Sequence, residues 1–211
     1  MAKNKSQKGA PPSLKVLAPV LAILVVVVVA IGARLAFMPG GEGEAAIGGP
    51  FELVNGQGEA VTDKDFAGKD MLIYFGYTYC PDVCPTNLSL IGAALDKLTP
   101  EQREHITPIF ITIDPERDTP DVVGNYATAF YPTMVGLTGT PEQVAAAARA
   151  YKVYYKKVEE KGDAPYLMDH SSITYLMGPD GKFLTHFSHG TTPEKMAEIL
   201  GKYLSGSISG S

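Results

Sequence analysis

The chain has 211 residues, 45% of them hydrophobic and 19% charged, with a formal net charge of −5 at pH 7. This length favours one globular domain with attached segments over two domains. Five of the 18 Lys and Arg residues but none of the 23 Asp and Glu residues lie in the first 34 positions, so the rest of the chain carries a formal charge of −10. That balance argues against a nucleic-acid partner; the acidic surface either steers a basic partner or is simply solvated.

An apolar segment near the N-terminus predicts a membrane anchor. No charged residue occurs between Lys15 and Arg34, and eighteen helical residues rise about 27 Å, close to the ~30 Å hydrocarbon core. Four lysines precede this segment, which places the N-terminus in the cytoplasm by the positive-inside rule. We predict a cytoplasmic N-terminus over residues 1–15 and a transmembrane anchor over residues 16–38.

A cleaved signal peptide has the same basic start and apolar centre, but its apolar region is shorter, and residues 35–40 contain no clear cleavage site. The chain's two cysteines, Cys80 and Cys84, lie far from any site of lipid attachment. We therefore expect a single-pass protein of the bacterial inner membrane with a periplasmic C-terminal domain. A mitochondrial location is the alternative, which the absence of an Arg- and Ser-rich transit peptide disfavours.

Composition divides the exported part into three regions. Residues 39–50 are rich in Gly, Glu and Ala and predict a flexible linker. Residues 51–204 contain the periodic apolar patterns of a folded domain. Residues 205–211 contain only Ser, Gly and Ile, so we expect a disordered tail.

The patterns within the domain predict alternating strands and helices, closed by a hairpin and a helix. In chain order we expect a hairpin (51–54 and 60–62), strand 71–77, helix 86–98, strand 106–113, helix 120–130 capped by Asp118 or Thr119, strand 134–137, helix 141–150, an extended segment 151–158, a second hairpin (172–177 and 183–187) and helix 193–204. This order predicts an α/β, thioredoxin-like fold with a mixed central sheet flanked by helices.

The sequence Cys80-Pro81-Asp82-Val83-Cys84-Pro85 places two thiols between the end of a buried strand and the start of a helix. The positive end of the helix favours thiolates, which both nucleophiles and metal ligands require. A structural disulfide would close only a very small loop, so we favour a functional pair. The thioredoxin redox motif has two intervening residues, whereas this one has three. Cysteines four apart in a first helical turn share one face, about 6 Å apart, where they can bind a metal or form a disulfide.

A site with two thiolates needs a further ligand, and His170 lies in a predicted loop just before a strand. His105, His186 and His189 are the other candidates. We expect the last two to be exposed, because a spacing of three places them on opposite strand faces. His105 follows a charged stretch and is expected at the surface. Spacing alone favours His170 only slightly over the others.

The ligand types indicate the metal. Two soft thiolates with one imidazole suit copper, whereas structural zinc is almost always held by four protein ligands. Met168 offers a weak additional sulfur contact, but a methionine in an apolar loop is more often a packing residue.

Three segments in this order and spacing resemble the SCO/SenC family of copper-binding proteins: residues 74–85, residues 112–120 and residues 169–172. The resemblance covers most of the exported chain. It implies that Cys80, Cys84 and His170 bind Cu(I) and Cu(II).

The resemblance also implies assembly of the dinuclear copper centre of cytochrome c oxidase subunit II, by copper delivery or by reduction of the target's cysteines. Other periplasmic copper chaperones or thiol reductants are the further partners it implies. Asp114 matches an acidic family position that supports the site or a docking surface; its alternative is a plain loop carboxylate. On this reading the protein is a copper chaperone more than a turnover enzyme.

A different class of function remains open for the same residues. A thiol:disulfide oxidoreductase would use Cys80 and Cys84 as its redox-active pair, with His170 merely nearby, and would retain disulfide exchange without that histidine. A redox sensor that signals through partners is a weaker third possibility.

Overall fold

The computed structural model describes residues 47–158 and 165–209, whose strands and helices follow the apolar patterns of the sequence. The strands are β1 (Glu52–Asn55), β2 (Ala60–Thr62), β3 (Asp70–Gly76), β4 (Ile106–Thr112), β5 (Val135–Thr138), β6 (Tyr155–Val158), β7 (Leu167–His170), β8 (Ile173–Met177) and β9 (Phe183–Ser188). The helices are α1 (Val83–Asp96), α2 (Pro100–Glu104), α3 (Pro120–Phe130), α4 (Pro141–Ala150) and α5 (Pro193–Ser209), with a short 3-10 helix at Asp63–Phe66.

Seven strands form one mixed sheet in the order β2-β1-β5-β4-β3-β8-β9. The central strands β3, β4 and β5 are parallel, and the outer pairings are antiparallel. Every residue of β3 is buried, as its uninterrupted apolar run predicts for a strand covered on both faces. β6 and β7 form a separate antiparallel pair, which we call the β6–β7 ribbon. The predicted mixed sheet is therefore confirmed.

Helices cover both faces of the sheet. Tyr74 and Phe75 are adjacent in β3, so their side chains point to opposite faces. The Tyr74 ring stacks on Phe110 of β4 and its hydroxyl meets Asn87 of α1, which places α1 on that face. The Phe75 ring packs against Tyr151 at the end of α4, on the other face. These contacts confirm a sheet flanked by helices.

Helices α2, α3 and α4 each begin with a threonine followed by proline at the first helical position. The threonines are Thr99, Thr119 and Thr140, and the first and last accept hydrogen bonds from backbone N–H groups in capping boxes. Of the two caps predicted for α3, the structure selects Thr119. These start signals explain why α3 and α4 occupy the predicted residues.

Some predicted boundaries were wrong. α1 starts at Val83, three residues before the predicted start. The extended segment 151–158 contracts to the four residues of β6, and β7 replaces a predicted loop. The predicted disordered tail is wrong over residues 205–209, where α5 continues. A packed helix adds one hydrogen bond for each further residue, which offsets the weak helix preference of Ser and Gly.

The described residues all belong to one compact unit. The predicted N-terminus (1–15), anchor (16–38) and most of the linker (39–46) lie outside the described residues, as do residues 159–164 and 210–211. Among the helices of the described part, none is long and apolar enough to span a bilayer.

Candidate metal centre

Three side chains from distant parts of the chain meet beyond the end of β3. Cys80 lies in the loop after β3, Cys84 is the second residue of α1, and His170 is the last residue of β7. One ligand atom from each lies within 4.8 Å of the other two. Within residues 47–158 and 165–209, no other group of three or more His, Cys, Asp or Glu side chains has this geometry. The structure thus brings the three predicted ligands together.

Cys80 is a thiolate stabilised by its surroundings. The Cys80 sulfur accepts a hydrogen bond from the backbone N–H of Cys84 at 3.3 Å, and so acts like a cap on the first turn of α1. Hydrogen bonds from the Cys84 side chain and from backbone N–H groups outweigh partial burial and lower the pKa of Cys80 to about 3. Cys80 is therefore ionised at neutral pH.

Cys84 is fully buried and holds its proton in the metal-free protein. Its hydrogen bond to the Cys80 sulfur, together with burial, raises the pKa of Cys84. Neither cysteine forms a disulfide. The pair therefore combines one thiolate and one thiol, which share a proton as coupled groups do.

His170 points its Nε2 toward the sulfur atoms. Its Nδ1 lies 3.1 Å from the carbonyl oxygen of Ser171. A carbonyl oxygen only accepts hydrogen bonds, so this contact assigns the proton of the neutral ring to Nδ1. Nε2 then carries the lone pair, and it lies 3.3 Å from the Cys84 sulfur. The ring is oriented as a metal ligand requires, with its other nitrogen fixed by a backbone partner.

Aromatic rings and a glycine shape the walls of the site. The rings of Tyr74 and Tyr77 meet the His170 ring edge to face, with centroids 6.3 and 5.8 Å away. A Cβ atom at Gly76 would lie 2.8 Å from the Cys84 sulfur. Only glycine at this strand end leaves room for that sulfur.

Asp118 fastens the loop that carries Cys80. Its buried carboxylate accepts hydrogen bonds from the backbone N–H and hydroxyl of Thr78 and from the hydroxyl of Thr112. Burial nevertheless raises the pKa of Asp118. The residue predicted as a possible helix cap instead joins the cysteine loop to the end of β4.

Arg117 fastens the ribbon that carries His170. Its Nε pairs with the carboxylate of Asp114 at 2.5 Å, and its Nη1 donates to the carbonyl oxygen of Tyr166 at 2.9 Å. The guanidinium also lies 3.6 Å from the centroid of the Tyr166 ring, whose hydroxyl donates to Asp114 at 2.8 Å. Asp114 is thus a support of the β6–β7 ribbon, as one of its predicted roles required.

The other candidate ligands stand apart from the site. His186 and His189 are exposed, as predicted, and His105 is half-buried. Met168 is buried in the hydrophobic core, in keeping with a packing role. The expectation that both cysteines lie in the first helical turn was wrong, because Cys80 precedes the start of α1.

Sequence reasoning missed the supporting residues Gly76, Tyr74 and Asn87. A glycine that interrupts an apolar strand directly before the cysteines is the one available signal for this group.

The donor set fits copper. Two sulfur atoms and one imidazole nitrogen are soft to borderline ligands, and an incomplete shell of three suits copper better than structural zinc. Cys80 and His170 are only partly buried, so the site is open on one side while Cys84 closes its floor. Such a site can accept and release an ion.

Comparison with known proteins agrees with this chemistry. The SCO1/SenC family model matches residues 39–205. Protein SenC of Rhodobacter capsulatus is 44% identical over 192 residues, which cover 85% of this chain and 86% of that protein. The mitochondrial SCO1 homolog 1 of Arabidopsis thaliana is 47% identical over 145 residues, or 69% of this chain, which spans 43% of that protein's length. The chain belongs to the SCO1/SenC family.

Among solved structures, ScoI of Bradyrhizobium japonicum with copper bound has a TM-score of 0.68 to this chain and 47% sequence identity. The match covers 75% of this chain and 99% of that one. The fold is therefore the thioredoxin-like fold of the Sco proteins.

Proposed function

We propose that Cys80, Cys84 and His170 bind copper together and that the protein helps to assemble the dinuclear copper centre of cytochrome c oxidase subunit II. The main observation behind this proposal is that two sulfur atoms and one imidazole nitrogen all lie within 4.8 Å of one another. Membership of the SCO1/SenC family supports the oxidase as the destination.

Delivery requires a site that holds copper without enclosing it. Cys80 and His170 are partly exposed and lie at the end of a loop and of a ribbon, where an incoming cysteine can reach the metal. Ligand exchange from this face would pass copper to the recipient without unfolding the domain.

Thiol reduction is a second candidate function, favoured by the strongly depressed pKa of Cys80 beside an unpaired Cys84. A thiolate at neutral pH attacks a disulfide, and the neighbouring thiol then resolves the mixed disulfide. Both functions serve the same recipient, because its cysteines must be reduced before they bind copper.

The location of the protein belongs to this proposal. An uncleaved anchor over residues 16–38 would hold the domain at the outer face of the bacterial inner membrane, with the linker as a tether. Membrane fractionation of the tagged full chain tests this: the protein should stay with the membrane pellet after carbonate washing. Release into the soluble periplasmic fraction would contradict the anchor.

Anaerobic copper titration of the reduced protein, under ligand competition, tests the metal site. One copper per chain should bind tightly, and Cys84→Ser or His170→Ala should each weaken binding strongly. His186→Ala, at an exposed histidine away from the site, is the matched control and should not.

The recipient is tested by mixing the loaded protein with apo subunit II and following its copper absorption. If His170→Ala abolished copper transfer but left reduction of an oxidised subunit II intact, the two functions would be separated. Binding that is indifferent to His170 would overturn the ligand set.

A further inference from the structure

A row of hydrogen bonds leads from the protein surface to the buried hydroxyl of Tyr74. His189, which is exposed after β9, places its Nδ1 3.1 Å from Oδ1 of Asn87. Asn87, in α1 and only 5% exposed, donates from Nδ2 to the hydroxyl oxygen of Tyr74 at 3.2 Å. These three residues stand behind the metal site and are not among its ligands.

The direction of each hydrogen bond follows from the chemistry of the groups. Oδ1 of Asn87 only accepts, so His189 donates its Nδ1 proton to it. Nδ2 of Asn87 only donates, so the hydroxyl oxygen of Tyr74 accepts. The hydroxyl proton of Tyr74 must then point to a different acceptor.

The Cys84 sulfur lies beside the Tyr74 ring. A Cβ atom built on Gly76 would lie 2.8 Å from the Cys84 sulfur and 3.0 Å from Cε1 of Tyr74, so the ring and the sulfur flank the same point of β3. Tyr74 is fully buried, so solvent does not satisfy its proton. The hydrogen bond to Cys80 and burial raise the pKa of Cys84, and the nearby Tyr74 hydroxyl acts in the opposite direction.

We propose that Tyr74, aligned by Asn87 and His189, is a positioning residue that donates a hydrogen bond to the Cys84 thiolate of the copper site. The inference rests on the copper site of the proposed function and does not depend on the recipient. A metal-bound thiol has lost its proton, which frees the sulfur to accept. Donation to the thiolate withdraws negative charge from sulfur and therefore favours Cu(I) over Cu(II).

Tyr74→Phe removes the hydroxyl and leaves the ring in place. Loss of one hydrogen bond to a charged sulfur should raise the ratio of Cu(II) affinity to Cu(I) affinity by roughly tenfold. The sulfur-to-Cu(II) charge-transfer band should also move to longer wavelength, because the thiolate becomes the stronger electron donor. Both quantities are measured on the full chain, by anaerobic competition titrations with each ion and by absorption spectroscopy.

Asn87→Asp tests the direction of the hydrogen bond between Asn87 and Tyr74. An aspartate has nearly the same shape but only accepts, so it draws the Tyr74 proton away from Cys84. This variant should shift the affinity ratio and the absorption band in the same direction as Tyr74→Phe.

Tyr175→Phe is the matched control. Tyr175 is a buried tyrosine on the strand next to β3, and its ring packs against Phe75, on the opposite face from Tyr74. It should leave the affinity ratio and the band unchanged. At the surface, His189→Ala removes the hydrogen bond to Asn87 and should shift the affinity ratio and the band in the same direction as Tyr74→Phe, by a smaller amount. His189→Asn keeps a donor near the position of Nδ1 and should restore both.

An affinity ratio and a band that are the same in Tyr74→Phe, Asn87→Asp and Tyr175→Phe would overturn the inference. If the core variants fail to fold, the comparison of His189→Ala with His189→Asn decides, because this residue is exposed: a shift with rescue supports the row, and no shift overturns it. Absence of copper binding in the unaltered protein would instead overturn the proposed function and the inference with it.

Discussion

The two cysteines differ in charge because they share one set of hydrogen bonds. Cys80 accepts from the first turn of α1 and from its neighbours, whereas Cys84 is buried and donates. The more exposed sulfur is therefore the nucleophile, and the buried sulfur keeps the proton. The site is asymmetric before any metal binds.

This asymmetry predicts selective alkylation of Cys80. With its pKa lowered to about 3, Cys80 is a thiolate throughout the range from pH 5 to pH 8. Its reaction rate with iodoacetamide should be nearly constant there, whereas an ordinary thiol gains on the order of a thousandfold. Peptide mass spectrometry at each pH measures the rates. Equal labelling of Cys84 at pH 5 would contradict the assignment, and Cys80→Ser is the control that should remain unlabelled.

The same assignment predicts the number of protons released on metal binding. Cys80 is already ionised, so of the two cysteines only Cys84 must lose a proton. Copper binding at pH 7 should therefore release about one proton per ion. Calorimetric titration in buffers of different ionisation enthalpy counts the protons. A release of two would mean that both cysteines are thiols in the free protein.

At the scale of elements, the site depends on three separate supports. Asp118 holds the cysteine loop against β4, Gly76 leaves room at the end of β3, and Arg117 ties the β6–β7 ribbon to the segment after β4. Each support lies outside the ligand set. Substitutions of these residues should change metal binding by displacing the ligands, because none of the three is itself a ligand.

Arg117→Ala tests the ribbon's attachment. It leaves the buried Asp114 carboxylate without its cation and removes the contact with Tyr166, so the free energy of unfolding should fall by about 3 kcal/mol. Copper affinity should fall as well, because His170 is carried by the released ribbon. Urea unfolding and copper competition measure the two effects.

Lys157→Ala is the control for the ribbon, since its pair with Glu116 joins the same two segments at an exposed site. An exposed pair contributes at most about 1 kcal/mol. If both variants lost equally little stability and affinity, Arg117 would have no special role in holding His170.

The elements that could be predicted from sequence are those with a clear helix start signal or an uninterrupted apolar run. The Thr-Pro pairs at the starts of α3 and α4 fix those helices to the residue, and the uninterrupted apolar runs of β3 and β4 identify the central strands. β7 carries a charged residue and, among the described strands, pairs with β6 alone, so it has no comparable apolar pattern. The end of α5 was missed because Ser and Gly favour loops unless a packed helix precedes them.

At the scale of the whole molecule, the sequence predicted the sheet and the metal more firmly than it predicted the histidine. The two cysteines are neighbours in sequence, but Cys84 and His170 are separated by 86 positions, and four histidines compete. The path of the chain through the β6–β7 ribbon determines which of these histidines lies beside the two cysteines. Local spacing carries no information about that path, whereas the family resemblance does.

A site assembled from distant segments should couple copper binding to global stability. At a free copper concentration of 100 times Kd, a domain of this size should gain about 2.7 kcal/mol, a rise in Tm of roughly 5–10 °C. Differential scanning calorimetry with and without Cu(I) measures the shift. In His170→Ala the shift should largely disappear, and an equal shift in that variant would mean that the ribbon takes no part in binding.

The most direct test of the central claim is X-ray absorption at the copper edge on the Cu(I)-loaded full chain, with His170→Ala beside it. The account predicts two sulfur scatterers and one imidazole nitrogen in the unaltered protein, and loss of the imidazole signal alone in the variant. A sulfur-only shell, or an imidazole signal that survives the substitution, would contradict the assignment of Cys80, Cys84 and His170 as one copper site.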